Sequence, residues 1–460
     1  MTLERVKAPA RLRNAPLYDW DELVQDDRVH RLLYTDPAVF DAEMINVFGG
    51  TWVYLAHESQ IPNPNDFITA KLGTRPLIMT RDEHGKVRAL YNRCTHRGTT
   101  LCRWDKGNSR SFQCPYHGWN FLNTGKLRGV PWPDGYAASL VQDDKYNLAQ
   151  VPRVESYRGF IFGTLNMDAP SLSHHLGPIK KPIDEWLDRN PGGKIIVCEA
   201  NRLKYKGNWK LAYDNSGDGY HVLFSHRSLI QTENRFADEA TKKGMSYYQN
   251  SPDSLPMYIQ YMGNGHHFKD KRPNLEARPG GLWAIESLHP GMEHVQDKLR
   301  NKFGARAESM LDLAGSEPVN INVFPNLSLL GNHIQVFQPV SFNETDAIWY
   351  GTKIEDVDGT LGEEVLTDIN ALRMRTQEGF PNFGEVDDVT NFEQIQRGLA
   401  AAEDEWIYMN RGYGIPDRIH TLEDGTIKGP ATDELFMREY IREWKRLMKS
   451  EPDIAIQREA

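Results

Sequence analysis

Four metal-ligating side chains in two short turns constrain this chain more than any other feature. Cys94-Thr-His96 is followed, 17 residues on, by Cys114-Pro-Tyr-His117-Gly-Trp. A structural zinc site usually draws each pair of ligands from C-x2-C or H-x3-H spacings. Here each turn offers one thiolate and one imidazole. That split suits a [2Fe–2S] cluster with the thiolates on one iron and the imidazoles on the other, the Rieske arrangement. Neutral imidazoles leave such a cluster less negative than four thiolates would, so it accepts an electron more readily. Pro115 stiffens the second turn, Gly118 relieves it, and Tyr116 and Trp119 are expected to shield the metal from water. Ligand identity alone leaves zinc as a rival, and two buried cysteines with two hydrogen-bonded histidines as the bland alternative.

A second constellation begins about a hundred residues later, in Asn208-Trp-Lys-Leu-Ala-Tyr-Asp-Asn-Ser-Gly-Asp218-Gly-Tyr-His221-Val-Leu-Phe-Ser-His226. Two histidines and a carboxylate on one face of a metal, with the other positions open, is how non-haem Fe(II) is held for oxygen chemistry. A spacing of five suits a helix poorly, because side chains meet at i,i+3 or i,i+4. If both imidazoles bind one ion, the segment must loosen near Phe224-Ser225 or leave the helix. Gly217 and Gly219 already weaken helical propensity there. Taken alone, the pair reads equally well as two core histidines. Candidates by type for the carboxylate include Asp214, Asp218, Asp387 and Asp388.

Together these motifs resemble the large (α) subunit of a Rieske non-haem iron aromatic-ring-hydroxylating oxygenase. The resemblance is carried by Cys94-x-His96…Cys114-x2-His117, Asn208-Trp-Lys, Asp218-Gly-Tyr-His221-x4-His226 and a late acidic motif, and it runs through nearly the whole chain. Trp52-Val-Tyr-Leu-Ala-His-Glu-Ser-Gln-Ile-Pro62 and Glu155-Ser-Tyr-Arg-Gly-Phe-Ile-Phe-Gly163 look most like the branch that oxidises benzoate, salicylate or phthalate-type carboxylates. The resemblance implies an α+β fold, with a small antiparallel-β Rieske domain inserted into a larger helix-grip-like catalytic domain. It also implies a [2Fe–2S] cluster bound by Cys94, His96, Cys114 and His117, and mononuclear Fe(II) bound by His221, His226 and Asp388. Asp388 is the second acid of Glu385-Val-Asp387-Asp388-Val-Thr-Asn391-Phe-Glu393, the pattern that carries the family's iron carboxylate. A bland reading, in which Asp387-Asp388 caps a helix over 389–402, competes with it.

By the same resemblance Asp218 bridges subunits, linking cluster ligand His117 of one protomer to iron ligand His221 of the next, and Asn215 stands close to the iron. Electrons derived from NAD(P)H arrive through a reductase or ferredoxin, and O2 reacts at the iron when substrate is present. The expected product is a cis-dihydrodiol, or a phenol if one oxygen is inserted. A trimer (α3), with a small β subunit as a possible addition (α3β3), is expected. An aromatic acid is the first-choice substrate and a neutral or polycyclic arene the alternative. A carboxylate calls for a cationic or multi-donor clamp. Arg227, Arg235, Asn332, His333 and Gln335 are candidates for it, and Leu229 and Ile230 for the apolar wall. A reading of another class is a Rieske electron carrier with a vestigial iron site, which would have no reason to keep His221, His226 and Asp388.

At 460 residues two domains are expected. The net charge of −9 argues against a nucleic-acid partner. The chain has no run of 18 uncharged apolar residues and no apolar signal core, so a cytoplasmic protein without a membrane span is expected. Only four cysteines occur, so disulfides are not the design, and Cys102 and Cys198 read as small buried residues. Boundaries are expected at 1–48 (a segment packing on the catalytic domain), 49–167 (the cluster domain) and 168–460 (the catalytic domain). Both cluster loops should lie near hairpin tips, and His174 and His175 on the surface of an exit linker. Helices are expected from Asp36-Pro37, over 179–187 and over 433–448, and strands over 320–330, 333–339 and 347–352.

Overall fold

The computed structural model describes residues 2–5, 18–190, 192–227, 257–272, 292–307, 319–355, 359, 362–377, 383–401 and 403–459. The chain divides into two compact units. One gathers described residues 2–5, 38–175 and 447–459, the other 18–37 and 176–446.

The first unit is antiparallel β structure. Its largest sheet runs, edge to edge, through Thr2–Arg5, Ala455–Arg458, Ala149–Gln150, Val87–Tyr91, Arg75–Arg81, Asp66–Leu72 and Lys106–Asn108. A smaller sheet of Ser111–Gln113, Asn120–Leu122 and Leu127–Gly129 carries the second cysteine turn. Phe67, Ile78, Leu90, Phe112, Trp119 and Phe121 form a buried core that includes Cys94 and Cys114.

This partition departs from the contiguous boundaries expected. Thr2–Arg5 pairs with Ala455–Arg458, so both chain ends enter the cluster unit's sheet. The helix Pro37–Asn46 begins on its proline as expected, with Val39, Phe40 and Met44 buried, and the carbonyl of Met44 accepts from Arg75 of the same unit at 2.8 Å. Strand pairing across more than 450 residues leaves no local trace in a sequence. The expected linker instead holds a short helix, Leu172–Leu176. His175 is buried there, its Nδ1 3.4 Å from Thr51 Oγ1, while His174 is exposed as expected.

The second unit is built on one antiparallel sheet. Its strands are β1 (Ile195–Tyr205), β2 (Tyr258–Tyr261), β3 (His267–Asp270), β4 (Val319–Val323), β5 (Leu327–Leu330), β6 (His333–Ser341), β7 (Glu344–Ile354), β8 (His420–Thr421) and β9 (Ile427–Pro430). Among the described residues their order is β1-β7-β6-β5-β4-β3-β2-β9-β8. The strands expected over 333–339 and 347–352 are present, but the one expected over 320–330 is divided by a turn at Phe324-Pro325-Asn326 into β4 and β5, which pair with each other. Four helices matter for function: α1 (Trp209–Gly217), α2 (Val222–Ser225), α3 (Phe383–Ala401) and α4 (Leu435–Met448). Within α4, Phe436, Tyr440 and Trp444 recur every four residues and are buried, which is the stripe that holds a helix to its domain.

Helix α1 starts where the sequence dictates. Asn208 has an extended backbone, and its side-chain oxygen accepts from the Lys210 amide at 3.1 Å. Its Nδ2 donates to the carbonyls of Tyr34 (3.3 Å) and Phe342 (3.0 Å), so one buried amide ties three segments together. With Trp209, Leu211, Ala212 and Tyr213 buried, α1 packs against β4 and β6. Its far end is thereby held over the sheet.

Candidate metal centres

The two cysteine turns fold alike. Gly98 N donates to Cys94 O (2.9 Å) and Gly118 N to Cys114 O (3.0 Å). Cys94 N donates to Thr99 O (2.9 Å) and Cys114 N to Trp119 O (2.7 Å). Both glycines need the left-handed region, at φ of 79° and 72°, which a Cβ would strain. Strands Ser111–Gln113 and Asn120–Leu122 pair with Gln113 opposite Asn120, so the second turn is a hairpin tip as expected. The first is not: Val87–Tyr91, before it, pairs with Arg75–Arg81, whereas Lys106–Asn108, after it, pairs with Asp66–Leu72.

The side chains converge. The imidazoles of His96 and His117 lie 4.8 Å apart by ring centroids, and the Trp119 indole stacks on His96 at 4.7 Å. Trp119 is buried and shields this site, but Tyr116 is 57% exposed beside His117, so it screens less than its position suggested. Nδ1 of both histidines is buried and lacks a hydrogen-bond partner. Burial pushes the Cys94 thiol up to about 11, Cys114 beside it adds to the rise, and the His96 and Arg97 amides oppose it. Two facing thiolates in such a place need a cation between them. Two thiols and two orphaned imidazole nitrogens on matched turns fit the cluster's donor set.

The second centre lies where α1 ends. Asp218 leaves the helix with an extended backbone (ψ 125°), and a single helical turn, α2, follows with His221 before it and His226 after it. The chain stays helical through Phe224-Ser225, where loosening was expected, and leaves the helix only at His226 (φ −98°, ψ 25°). His221, His226 and Asp388 each offer one atom, all within 4.8 Å of one another. Nε2 of His221 and of His226 stand 3.7 and 3.4 Å from Asp388 Oδ1. With bonds of about 2.1 Å, neighbouring ligands of one ion stand roughly 3 Å apart, so little closure is needed. Asp388 Oδ1 has no hydrogen-bond partner, whereas Oδ2 accepts from Asn215 Nδ2 at 2.7 Å. Burial raises the Asp388 carboxyl above its ordinary value against the opposing pull of the two histidines and Asn215. A bound cation would reverse that. The donor set, two imidazoles and one carboxylate, fits Fe(II) with open positions.

Helix α3 begins at Phe383, so Asp387 and Asp388 lie inside it and do not cap a helix starting at 389. Asp214, a candidate by type, is not at this centre. It is half-buried on α1 itself, where the hydroxyls of Tyr34 (3.0 Å) and Tyr440 donate to it. Asp218 Oδ2 lies 3.2 Å from His221 Nδ1, and its Oδ1 accepts from the Tyr220 amide at 2.6 Å. Burial pushes Asp218 up, but His221, the Tyr220 amide and Lys269 outweigh it and hold it below its ordinary value. Lys269 is a residue that the motifs did not reveal. It is buried on β3, its ammonium donates to the Asp218 carbonyl at 3.0 Å, and its charge is felt at His226 and Asp388. Lying 43 residues past His226 in no recognisable pattern, it gave no local signal.

Of the candidate substrate residues, Arg227 is exposed just past α2 and Asn332 is half-buried in the β5–β6 turn. His333 and Gln335 are buried on β6, their Nε2 atoms 2.9 Å apart. Leu229, Ile230 and Arg235 lie outside the described residues. Cys102 is buried as expected and Cys198 half-buried. Among the described residues no helix is long and apolar enough to cross a membrane.

Residues 51–152 match the model of the Rieske [2Fe–2S] domain, and 195–450 that of the ring-hydroxylating α subunit catalytic domain. The chain is 34% identical to the toluate 1,2-dioxygenase α subunit of Pseudomonas putida, over 83% of this chain and 82% of that one. It is 33% identical to the 2-halobenzoate 1,2-dioxygenase large subunit of Burkholderia cepacia, over 84% and 80%. The structure of naphthalene 1,2-dioxygenase from Rhodococcus sp. bound to indole superposes with a TM-score of 0.74 at 27% identity, covering 92% of this chain and 95% of that one.

Proposed function

Since the chain belongs to the α subunits of the Rieske ring-hydroxylating oxygenases, we propose that its substrate is an aromatic carboxylate of the benzoate, hydroxybenzoate or phthalate class. As such a subunit it is the terminal oxygenase of a multicomponent dioxygenase, with a [2Fe–2S] cluster and mononuclear iron, and it takes electrons from a reductase partner. The substrate reading rests on its kinship with oxygenases named for toluate and 2-halobenzoate. The neutral-arene alternative has the naphthalene dioxygenase structures in its favour at lower identity.

The geometry supports the following residue roles. Cys94, His96, Cys114 and His117 would hold the cluster, whose chemistry is the supply of single electrons. His221, His226 and Asp388 would hold the iron, whose chemistry is the activation of O2. Asn215 orients Asp388 by donating to the oxygen turned away from the two histidines. Asp218 holds His221 in one tautomer by facing Nδ1, which leaves Nε2 toward Asp388. Trp119 keeps water from His96 by stacking on it.

A trimer in which Asp218 joins His221 of one protomer to a cluster histidine of the next is supported by exposed aromatic surface at each centre. Trp132, 89% exposed, adjoins Pro131, which lies against Gly118 in the second cluster turn. In the catalytic unit Tyr220 and Phe224, 42% and 68% exposed, meet edge to face at 5.8 Å beside His221. Apolar surface of this kind marks association. A continuous stretch near 49–167, within a unit that also takes in both chain ends, as the cluster domain and a cytoplasmic location complete the reading.

The test is product analysis with a matched reductase and a panel of aromatic acids and neutral arenes. Oxidation of acids with O2 incorporation is expected. Turnover confined to neutral arenes would overturn the substrate class.

A further inference from the structure

One row of side chains crosses the catalytic sheet from β3 to β7. His267 is paired with Asn322, Asn322 with Ser328, Ser328 with Gln335, and Gln335 with Trp349. Residues directly opposite one another share a face of a sheet, and every member of this row is polar or carries a polar nitrogen. The face is the one toward α1. Asn320, two residues from Asn322, donates to the carbonyl of Ser216 at 3.0 Å. His267 meets the Tyr213 ring edge-on at 5.1 Å, and a Cβ on Gly217 would come within 2.6 Å of its Nε2.

Interiors of this kind are normally apolar, or else every polar group is paired. Here the pairing is missing for every member but Gln335, whose Nε2 lies 2.9 Å from His333 Nε2. Both ring nitrogens of His267, both amide atoms of Asn322, Ser328 Oγ and Trp349 Nε1 are buried without a hydrogen-bond partner. Asn322, Ser328 and His267 are wholly inaccessible. Each unpaired group costs about 1–3 kcal/mol if nothing fills the space beside it. A row of them calls for hydrogen-bond partners that the described side chains do not supply. Lys269, opposite Asn320 on the same face, sets a buried positive charge diagonally beside Asn322. Burial, with Lys269 next in effect, holds His267 down to about 3, so its ring is neutral and keeps one N–H to donate.

We propose that this face is the subsite for the ionised substituent of the substrate, with the carboxylate accepting hydrogen bonds from Asn322 Nδ2 and Ser328 Oγ while Lys269 balances its charge. Opposed side chains on neighbouring strands stand about 5 Å apart, a span that two carboxylate oxygens can bridge. No arginine fork is required, and α1 ties this face to the iron, since Ser216 and Asn215 are consecutive. The inference rests on the aromatic-acid reading and deepens it.

The test compares benzoate with benzamide, its neutral counterpart of the same shape, in the complete enzyme with its reductase and by equilibrium dialysis without turnover. In Asn322→Asp a second negative charge faces the carboxylate. The preference for benzoate over benzamide should then fall by about 100-fold or more, with iron and cluster content unchanged. Ser328→Ala, which removes one oxygen and no bulk, should weaken benzoate binding roughly 3–30-fold and benzamide less. It keeps the test open if Asn322→Asp folds poorly. Parallel losses for both ligands, or none for either, would mean that the row holds ordered water only, and the subsite would be wrong. A parent enzyme that binds and oxidises neutral arenes but no acid would overturn the substrate reading itself, and the subsite with it.

Discussion

Asp388 presents one oxygen to two imidazoles and the other to an amide, the division that suits the ligand role proposed for it. Removing the amide leaves a carboxylate free to turn. Asn215→Ala should therefore lower iron affinity about 10–100-fold, the usual effect of losing a partner that orients a ligand. Iron retention against a graded chelator reads this, while the cluster's visible spectrum stays that of the parent. Asp218 separates the proposed bridge from a ligand in the same way. Asp218→Asn should keep both metals yet slow substrate-dependent reoxidation of the pre-reduced cluster by about 10-fold or more, because a neutral amide cannot hold His221 Nδ1 as a carboxylate does. Loss of iron in that variant would make Asp218 a ligand; reoxidation at the parent rate would remove the bridge.

Helix α1 is the element on which the iron site depends, and two groups decide its placement. Asn208 caps it and reaches two other segments, so Asn208→Ala should cost about 1–3 kcal/mol, read as a lower denaturant midpoint. Asp214 gives α1 a pH dependence. Burial, against the opposing hydroxyls of Tyr440 and Tyr34 and the charge of Lys210, raises its carboxyl from 3.8 to about 7, with Asp218 adding to the rise. Below 3.8 the group is protonated in folded and unfolded chains alike. Between 3.8 and about 7 only the unfolded chain releases the proton, so this contribution to stability is lost as pH rises through that window and is constant above it. Asp214→Asn has no proton to release. The parent should lose ground to it by on the order of 4 kcal/mol from pH 4 to pH 7, seen as a widening gap in melting temperature. A constant gap would place the carboxyl's titration elsewhere.

For the whole molecule, metal content and assembly give the decisive measurements. A chain carrying both centres holds three irons and two acid-labile sulfides. Mixing Asp218→Asn chains with Cys114→Ala chains should restore some activity if electrons cross between protomers, since some mixed contacts pair an intact cluster with an intact bridge; activity equal to the sum of the two impaired parents would exclude the crossing. The ligand motifs were legible in the sequence because each lies within a few residues, where spacing and residue chemistry are local. Cys94 to His96, Cys114 to His117 and His221 to His226 are of this kind, as is the helix beginning at Pro37. The choice of Asp388 needed the family resemblance, because 162 residues separate it from His226. Tertiary structure alone decided the rest. It enrolled both chain ends in the cluster unit's sheet, buried His175, turned Asp214 of α1 toward Tyr34 and Tyr440, set Lys269 against the Asp218 carbonyl and aligned a largely unpaired polar row across four strand pairings. None of these could be read in one dimension, because each depends on which distant strands pair and in what register, and register decides which face every side chain joins.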